Sequence, residues 1–564
     1  MENKMNIKAI LFLLTCMMGG MTYGQVIYEK ISKAERPISP SYRITEKPEI
    51  IDTVVPIPNI TYPLLSRNMR TEISIEQIDA AKIRIVEPLQ KLYPGYVKLG
   101  IGNYYNPLGE IYYNSVRNRR SSYGAHLKHN SAFKGIQGYA PSTFDNTTGH
   151  LFGEFFTSRY KIETDLNYLN NGYHFYGLQD TLDLLPKDTL KNRVQGMDGT
   201  FKFSNFTTRD SAKVLYTIYT SYGYFHEFDP EKVDKNAKSS TFDIGTSLAY
   251  KLKMNVFAAD FSVRYNKYKY GNENPDVPLD DWHNDNNTII RLKPYISTYG
   301  DKWKVVYGVD LNFDILADNV FKVIPIIEGK YSLFNDMIIP YAGLGGGLKQ
   351  NTFRSLNRQN EFILSAIDLK NTKEFKVYGG IKGTLSKKLS FNVQAYSATY
   401  TDMALFVNDT AVSDFYRFDV VYDKVTALGI TGSVSYQAAE KLKIDGIVTY
   451  NNYDAATELF AWNLPALDIK LRGNYNLYDK IYIKTDLTLM AGRKSPEGLF
   501  LAAPVDEDFE LGFLADANLH LEYRYSNRLS VFLQFNNLAA QKYARWNRYP
   551  VQGFQVLGGL TFAF

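Results

Sequence analysis

Apolar and polar residues alternate with a period of two from Tyr96 to the C-terminus, and no other feature of the sequence restricts the fold as much. In Trp303–Ile315 the odd positions Trp303, Val305, Tyr307, Val309, Leu311, Phe313 and Ile315 are apolar or aromatic, with Lys304, Asp310, Asn312 and Asp314 between them. A helix scatters those polar residues around its circumference, whereas a strand puts all four on one face. Leu467–Leu477 repeats the pattern with Asp468, Lys470, Arg472, Asn474 and Asn476 on its second face, and Ile481–Leu489 does so with Lys484 and Asp486. Leu529–Phe535 and Phe554–Phe564 continue it, so this region reads as all-β.

A soluble sandwich also alternates, so the decision falls to strand and connection lengths. The stretch divides into about 22 strands, most of about 10 to 16 residues, long enough to cross a bilayer when tilted. Tight turns fall near Ser158-Arg159, Asp210-Ser211, Lys253-Asn255, Asp301-Lys302, Asn335-Asp336, Ser386-Lys387, Ala439-Glu440, Asp479-Lys480 and Ser526-Arg528. Longer segments lie between them: Ala132–Thr147, Asn170–Lys191, Asp229–Ser239, Gly271–Asn287, Asn351–Asn371, Val407–Phe415 and Lys494–Asp508. Short turns at one end and long loops at the other are the plan of a transmembrane antiparallel β-barrel, with periplasmic turns and outer loops. Lys388-Leu389-Ser390-Phe391, Lys441-Leu442-Lys443-Ile444, Lys480-Ile481-Tyr482-Ile483 and Arg528-Leu529-Ser530-Val531 each set a basic residue at a turn before alternation resumes. Their unequal spacing makes this a recurring hairpin and not a solenoid repeat.

Composition agrees. The chain holds 44 Tyr and 34 Phe, and tyrosine suits a membrane-water interface because its ring is apolar and its tip polar. Charged residues are 22% and the net charge is +5, too mild and too dispersed for a nucleic-acid partner. No stretch after the N-terminus approaches a transmembrane helix, and the mean hydropathy is −0.28, as expected where only alternate strand residues face lipid.

The N-terminus carries Lys4 and Lys8, an apolar run from Ala9 to Met18, and Thr22-Tyr23-Gly24, which reads as a cleaved secretory signal over residues 1–24. Cys16 follows Leu13-Leu14-Thr15, a poor fit to a lipoprotein box. Cleavage after Gly24 leaves a mature chain without cysteine, so neither disulfides nor thiolate metal sites organise it. Residues 25–95 form a periplasmic arm: Gln25–Pro63 is proline-rich and extended, and Ser74–Gln77 opens a short helix that ends by Pro88. That helix is either a vestigial plug in the lumen or a periplasmic docking element. The barrel occupies residues 96–564.

The C-terminus resembles a known family. Phe535-Asn536-Asn537-Leu538, Lys542-Tyr543, Tyr549-Pro550, Gly553 and a final strand from Val556 to Phe564 are similar to the end of TonB-dependent receptors, especially those of Bacteroidetes. Phe562 and Phe564 resemble the terminal signal that barrel-assembly machinery reads. The resemblance is sharp over about the last 35 residues and architectural elsewhere. It implies an outer-membrane protein of a Gram-negative bacterium with a periplasmic N-terminus, taking up a chelated metal or an oligosaccharide with energy delivered through TonB. The chain departs from the family at its N-terminus, where about 70 residues separate Gln25 from Tyr96 and leave no room for a full plug. Asp52-Thr53-Val54-Val55 loosely resembles a TonB box, followed by Pro56 and Pro58; the plainer reading is an extended segment.

Enzymatic chemistry is not expected. Seven histidines, His126, His129, His150, His174, His226, His283 and His520, lie in no nucleophile motif, and His126 and His129 point to opposite faces of a strand. Between residues 272 and 287, Asp276, Asp280, Asp281, His283 and Asp285 offer oxygen-rich ligands for Ca²⁺, but without the glycine and bidentate glutamate of an ordered calcium loop. A solvated outer loop is the preferred reading, so no cofactor or resident metal is assigned. The lumen face carries both signs, as with Lys304 against Asp310 and Arg472 against Asp468. A lumen of about 22 strands needs filling, by inward-folded loops, by the N-terminal arm or by a second, plug-like or periplasmic protein. Two functions follow: a transport-class barrel that passes a solute, or a non-transporting scaffold or accessory subunit of an outer-membrane complex.

Overall fold

The computed structural model describes residues 91–178, 190–205, 213–228, 236–271, 283–316, 320–409, 416–439, 441–496 and 510–564. Twenty-two strands form one antiparallel sheet. Its first strand, Gly95–Gly102, pairs with its last, Gln555–Ala563, from Tyr96↔Ala563 to Gly102↔Leu557. Every strand between them is bonded to its neighbours in order, so the sheet closes into a barrel without a free edge. Gly95 and Phe564 exchange two backbone hydrogen bonds of 3.0 Å, which puts both ends of the barrel at the rim that carries the tight turns.

The four basic turn residues mark strand starts, since strands begin at Leu389, Leu442, Ile481 and Leu529. Each basic residue's carbonyl accepts from the end of a neighbouring strand: Gln437 N to Lys388 O at 2.7 Å, Asn476 N to Lys441 O at 2.8 Å, Arg524 N to Lys480 O at 2.8 Å and Ala563 N to Arg528 O at 2.7 Å. The backbone thus extends the ladder by one residue at every such turn. The turns expected at Asp210-Ser211 and Glu440, the arm over residues 25–90 and most of the 272–287 loop lie outside the described residues.

Alternate residues face outward. Leu428, Ile430, Tyr450, Tyr307 and Phe313 are exposed on the outer wall, while Asp310 and Asn312 of the inner face are fully buried. An outward belt of apolar side chains matches the hydrocarbon of a bilayer. Near the turns it ends in rings such as Tyr250, Phe257, Trp303, Tyr331 and Tyr436, the position where aromatic girdles sit.

Inside, large rings sit opposite glycines. The register pairs Tyr219↔Gly245, Tyr341↔Gly380, Tyr378↔Gly343 and Tyr396↔Gly429 face the lumen, and a Cβ added at any of these glycines would run into the facing tyrosine ring. The missing side chain lets each ring lie along the wall, and the hydroxyls then reach across a strand. Tyr341 donates to Asn392 at 2.7 Å, Tyr378 to Glu328 at 3.0 Å and Tyr396 to Asn451.

Wall height is uneven, from seven residues in Leu108–Asn114 to 22 in Phe418–Ala439. Pairing is uneven too. Val320–Tyr331 meets Ile339–Lys349 only through Ile327–Lys330 against Tyr341–Leu344. Pro325 has no N–H to give and Gly345-Gly346-Gly347 offers no side chains, which leaves the loop half of this seam without a ladder. Strands also run further into expected loops than alternation suggested: one continues to His174 and another opens at His283.

Candidate functional site

The segment 350–371 joins Ile339–Lys349 to Thr372–Ser386 at the loop end of the barrel. Sequence reasoning gave Asn351–Asn371 as one of the long loops and left open whether such loops fold outward or into the lumen. It folds inward and holds the only α-helix among the described residues, Phe353–Asn357, started by a capping box between Thr352 and Ser355. Phe353, Leu356 and Ile363 are fully buried. Phe353 stacks on Tyr268 with centroids 5.4 Å apart and lies 5.9 Å from Phe225. Phe362 stacks on Tyr549 at 3.7 Å and meets Tyr173 and Tyr176 edge-on at 5.9 and 5.7 Å.

These partners stand on different sides of the wall. Tyr173 belongs to the fifth strand and Tyr268 to the ninth, while Tyr549 sits in the last loop before Gln555–Ala563. A segment rooted between the thirteenth and fourteenth strands reaches all of them only by crossing the mouth. With Phe175, Phe406 and Phe418 they form one apolar core at the loop end of the barrel. Burying each such ring contributes about 1.5 to 3 kcal/mol.

Polar tethers fix the crossing. Arg354 forms an ion pair with Asp198, midway along the wall strand Lys191–Asn205, so the helix dips well below the rim. Asn171 Nδ2 donates to Glu361 Oε2 at 3.0 Å, and the Tyr173 hydroxyl donates to the Glu361 carbonyl at 2.6 Å. Arg417 donates to Ile363 O at 3.2 Å and Ser365 Oγ at 3.0 Å. Leu364 N donates to Phe418 O at 2.8 Å and Phe418 N to Phe362 O at 2.9 Å, a short parallel bridge. Asn371 closes the segment by donating to Asn287 at 2.9 Å and Asp314 at 2.6 Å. Burial pushes the Glu361 carboxyl up from the ordinary carboxylate value, against the opposing pull of the Arg545 charge and the Asn171 hydrogen bond. Burial, reinforced by the Glu361 charge, likewise raises the Tyr176 hydroxyl.

Below the cap the wall is charged. Arg291 holds Asp310 through two bonds of 2.8 and 2.6 Å, Lys322 meets Asp314 at 2.8 Å, and Lys161 and Lys202 both reach Glu163. Both signs face the lumen as expected, and register sets the ion pairs. Asp310 pairs with Arg291 and not Lys304, Arg472 with Asp486 at 2.9 Å, and Asp468 with Lys470 at 2.7 Å. Neighbours on adjacent strands or one pleat apart win because strand register, invisible to a one-dimensional reading, sets which heads meet.

Of the residues singled out from sequence, Asp52, Thr53, Val54 and Val55 lie outside the described residues. Phe562 and Phe564 project outward at the turn-end rim, near-parallel with centroids 6.4 Å apart. His126 bonds Glu110 at 3.0 Å and His129 bonds Thr147 at 2.8 Å, each a separate cross-strand contact. Among the described residues no group of three His, Cys, Asp or Glu side chains could hold a metal, and of the 272–287 loop only the stretch from His283 onward, a strand, is described. The crossing segment was missed, although Phe353, Leu356, Phe362, Ile363, Leu364, Ile367 and Leu369 within some twenty residues are too apolar for a solvated loop.

No protein-family model matches the sequence, nor does any curated protein. Solved structures do resemble the fold. The siderophore receptor PirA from Acinetobacter baumannii superposes with a TM-score of 0.63 at 11% identity, covering 84% of this chain and 81% of that one. The pyoverdine outer-membrane receptor FpvA from Pseudomonas aeruginosa gives 0.60 at 12%, covering 84% and 79%, and the copper transporter OprC gives 0.58 at 13%, covering 83% and 80%. The likeness is one of fold. Like those receptors, this chain builds a barrel of 22 strands.

Proposed function

We propose that this protein is an outer-membrane barrel of the transport class, that it admits a solute through its lumen, and that segment 350–371 is its gate. The observation that carries this reading is the cap itself, one segment that crosses the mouth in a shared aromatic core and is held there by polar tethers. The fold it shares with siderophore and copper receptors supports solute uptake as the class of activity. The C-terminal motifs support a TonB-dependent receptor of Bacteroidetes type without a full plug. In that reading residues 1–24 are a removed signal, the arm is periplasmic, Asp52–Val55 meets TonB, and Phe562 and Phe564 address the assembly machinery.

A second reading, a non-transporting scaffold or accessory subunit, is favoured by how deeply the cap is buried: a mouth sealed by a continuous aromatic core serves a barrel that never opens. Cells that make the protein with residues 353–369 replaced by a flexible linker separate the two. A functional gate predicts that such cells admit large hydrophilic antibiotics that wild-type cells exclude. Unchanged exclusion in cells with full surface expression contradicts the gate.

A further inference from the structure

Four lumen lysines stand over tyrosine rings: Lys293 over Tyr295 at 5.6 Å, Lys304 over Tyr299 at 4.7 Å, Lys376 over Tyr396 at 3.8 Å and Lys382 over Tyr341 at 5.4 Å. All are on one sector of the wall, between His283–Tyr299 and Leu389–Asn408, rising from the turn-end mouth at Lys304 to mid-wall at Lys376. None forms a salt bridge among the described residues, whereas Arg291 and Lys322 of the same sector, and Lys161, Lys202 and Arg193 elsewhere on the wall, each meet a carboxylate. Two carboxylates of this sector, Glu328 and Glu374, instead accept from the Tyr378 and Tyr400 hydroxyls at 3.0 and 3.5 Å. The lysines are half-buried and open to the lumen.

A ring face attracts an ammonium group weakly and leaves most of its charge uncompensated. Four such charges on one wall, even with Asp260 across from Lys293 and Glu374 beside Lys376, leave a positive field that the low-dielectric barrel focuses. Tyr341 and Tyr396 lie along the wall over Gly380 and Gly429, so their faces are available once the lysine swings aside. We infer that this sector is a binding site for an organic anion, whose carboxylate or phosphate groups take the lysines and whose ring or planar body stacks on the tyrosines. The assignment names the substrate class for the uptake reading and rests on that reading only for the direction of traffic.

Equilibrium binding to the full chain in detergent tests it, with oligogalacturonate as a carboxylate probe, inositol hexakisphosphate as a phosphate probe and maltoheptaose as the neutral control. The site predicts that at least one anion binds at least tenfold tighter than maltoheptaose. It also predicts that this advantage falls at least tenfold in Lys376→Gln/Lys382→Gln, survives in Lys376→Arg/Lys382→Arg and in Lys202→Gln, and shrinks with added salt. Which anion binds identifies the source of the charge. Equal binding of all three probes, or a glutamine double variant that is heat-modifiable like wild type yet binds the anion as tightly, overturns the assignment. Because the readout is binding, it can fail while gated uptake stands, and it can hold in a barrel that never transports.

Discussion

Asp310 is fully buried and holds Arg291 through two hydrogen bonds, with Asn312 a third partner at 3.1 Å. Removing one member of such a pair strands the other charge, and Arg291 keeps some solvent, so Asp310→Ala is expected to cost about 3 kcal/mol. The check is the temperature at which the folded band converts to the unfolded one on an electrophoresis gel. The glycine-tyrosine pairs behave differently, because their cost is steric. A valine at position 429 would collide with the Asn451 oxygen and the Tyr396 ring and push both off the wall, so Gly429→Val is expected to cost about 1 to 3 kcal/mol and to weaken the anion site with it. Glu361 adds a dependence on pH. Burial raises its carboxyl above the unfolded value, so its favourable contribution is complete below the unfolded value and is lost as pH rises through the folded one. Arg545 and Asn171 oppose the shift, Tyr176 faces the same carboxyl, and Tyr173 donates to the Glu361 main-chain carbonyl. The cap should therefore be tighter in acid, with slower amide exchange at Tyr173–Phe175 at pH 5 than at pH 8 after correction for intrinsic rates. Glu361→Gln, which still accepts from Asn171, should flatten that difference.

Strands and turns were legible because each is dictated locally. Period-two alternation names the faces, and a basic residue at four turns marks where a strand begins. The crossing segment was not legible as an element, since its apolar residues follow neither helical nor strand spacing and find partners only once the barrel exists. Tyr549 shows the same limit. It stood out as part of a C-terminal motif, but nothing local told that its ring would lie under Phe362 at the centre of the cap. The weak seam is an element-scale property with a consequence for the gate. The hairpin that carries segment 350–371 is fully laddered on its Leu389–Asn408 side and joined to Val320–Tyr331 by only four register pairs. Backbone amides of Gly345–Lys349 are thus expected to exchange faster than those of Val377–Ile381 on the partner strand. Equal protection of the two stretches contradicts a hinge at this seam.

At the scale of the whole molecule, closure and lumen filling are linked. A barrel of this strand number encloses more space than its own wall side chains occupy, and three ways of filling it were open from sequence alone. Among the described residues segment 350–371 crosses the loop end within a shared core that draws on at least six parts of the wall. Below it, Lys161 and Lys202 form ion pairs with Glu163, while Lys376 and Lys382 stand over tyrosine rings. The barrel itself followed from the sequence because alternation is a property of every strand. Which lumen lysines meet a carboxylate and which meet a ring did not, since it depends on which groups register brings together. In the proposed function segment 350–371 closes a conducting lumen. Single-channel recording in planar bilayers tests it most directly, comparing the full chain with a chain in which residues 353–369 are replaced by a flexible linker. A gate predicts a silent or rarely open full chain and a steadily conducting variant. A variant that folds, inserts and remains silent contradicts it.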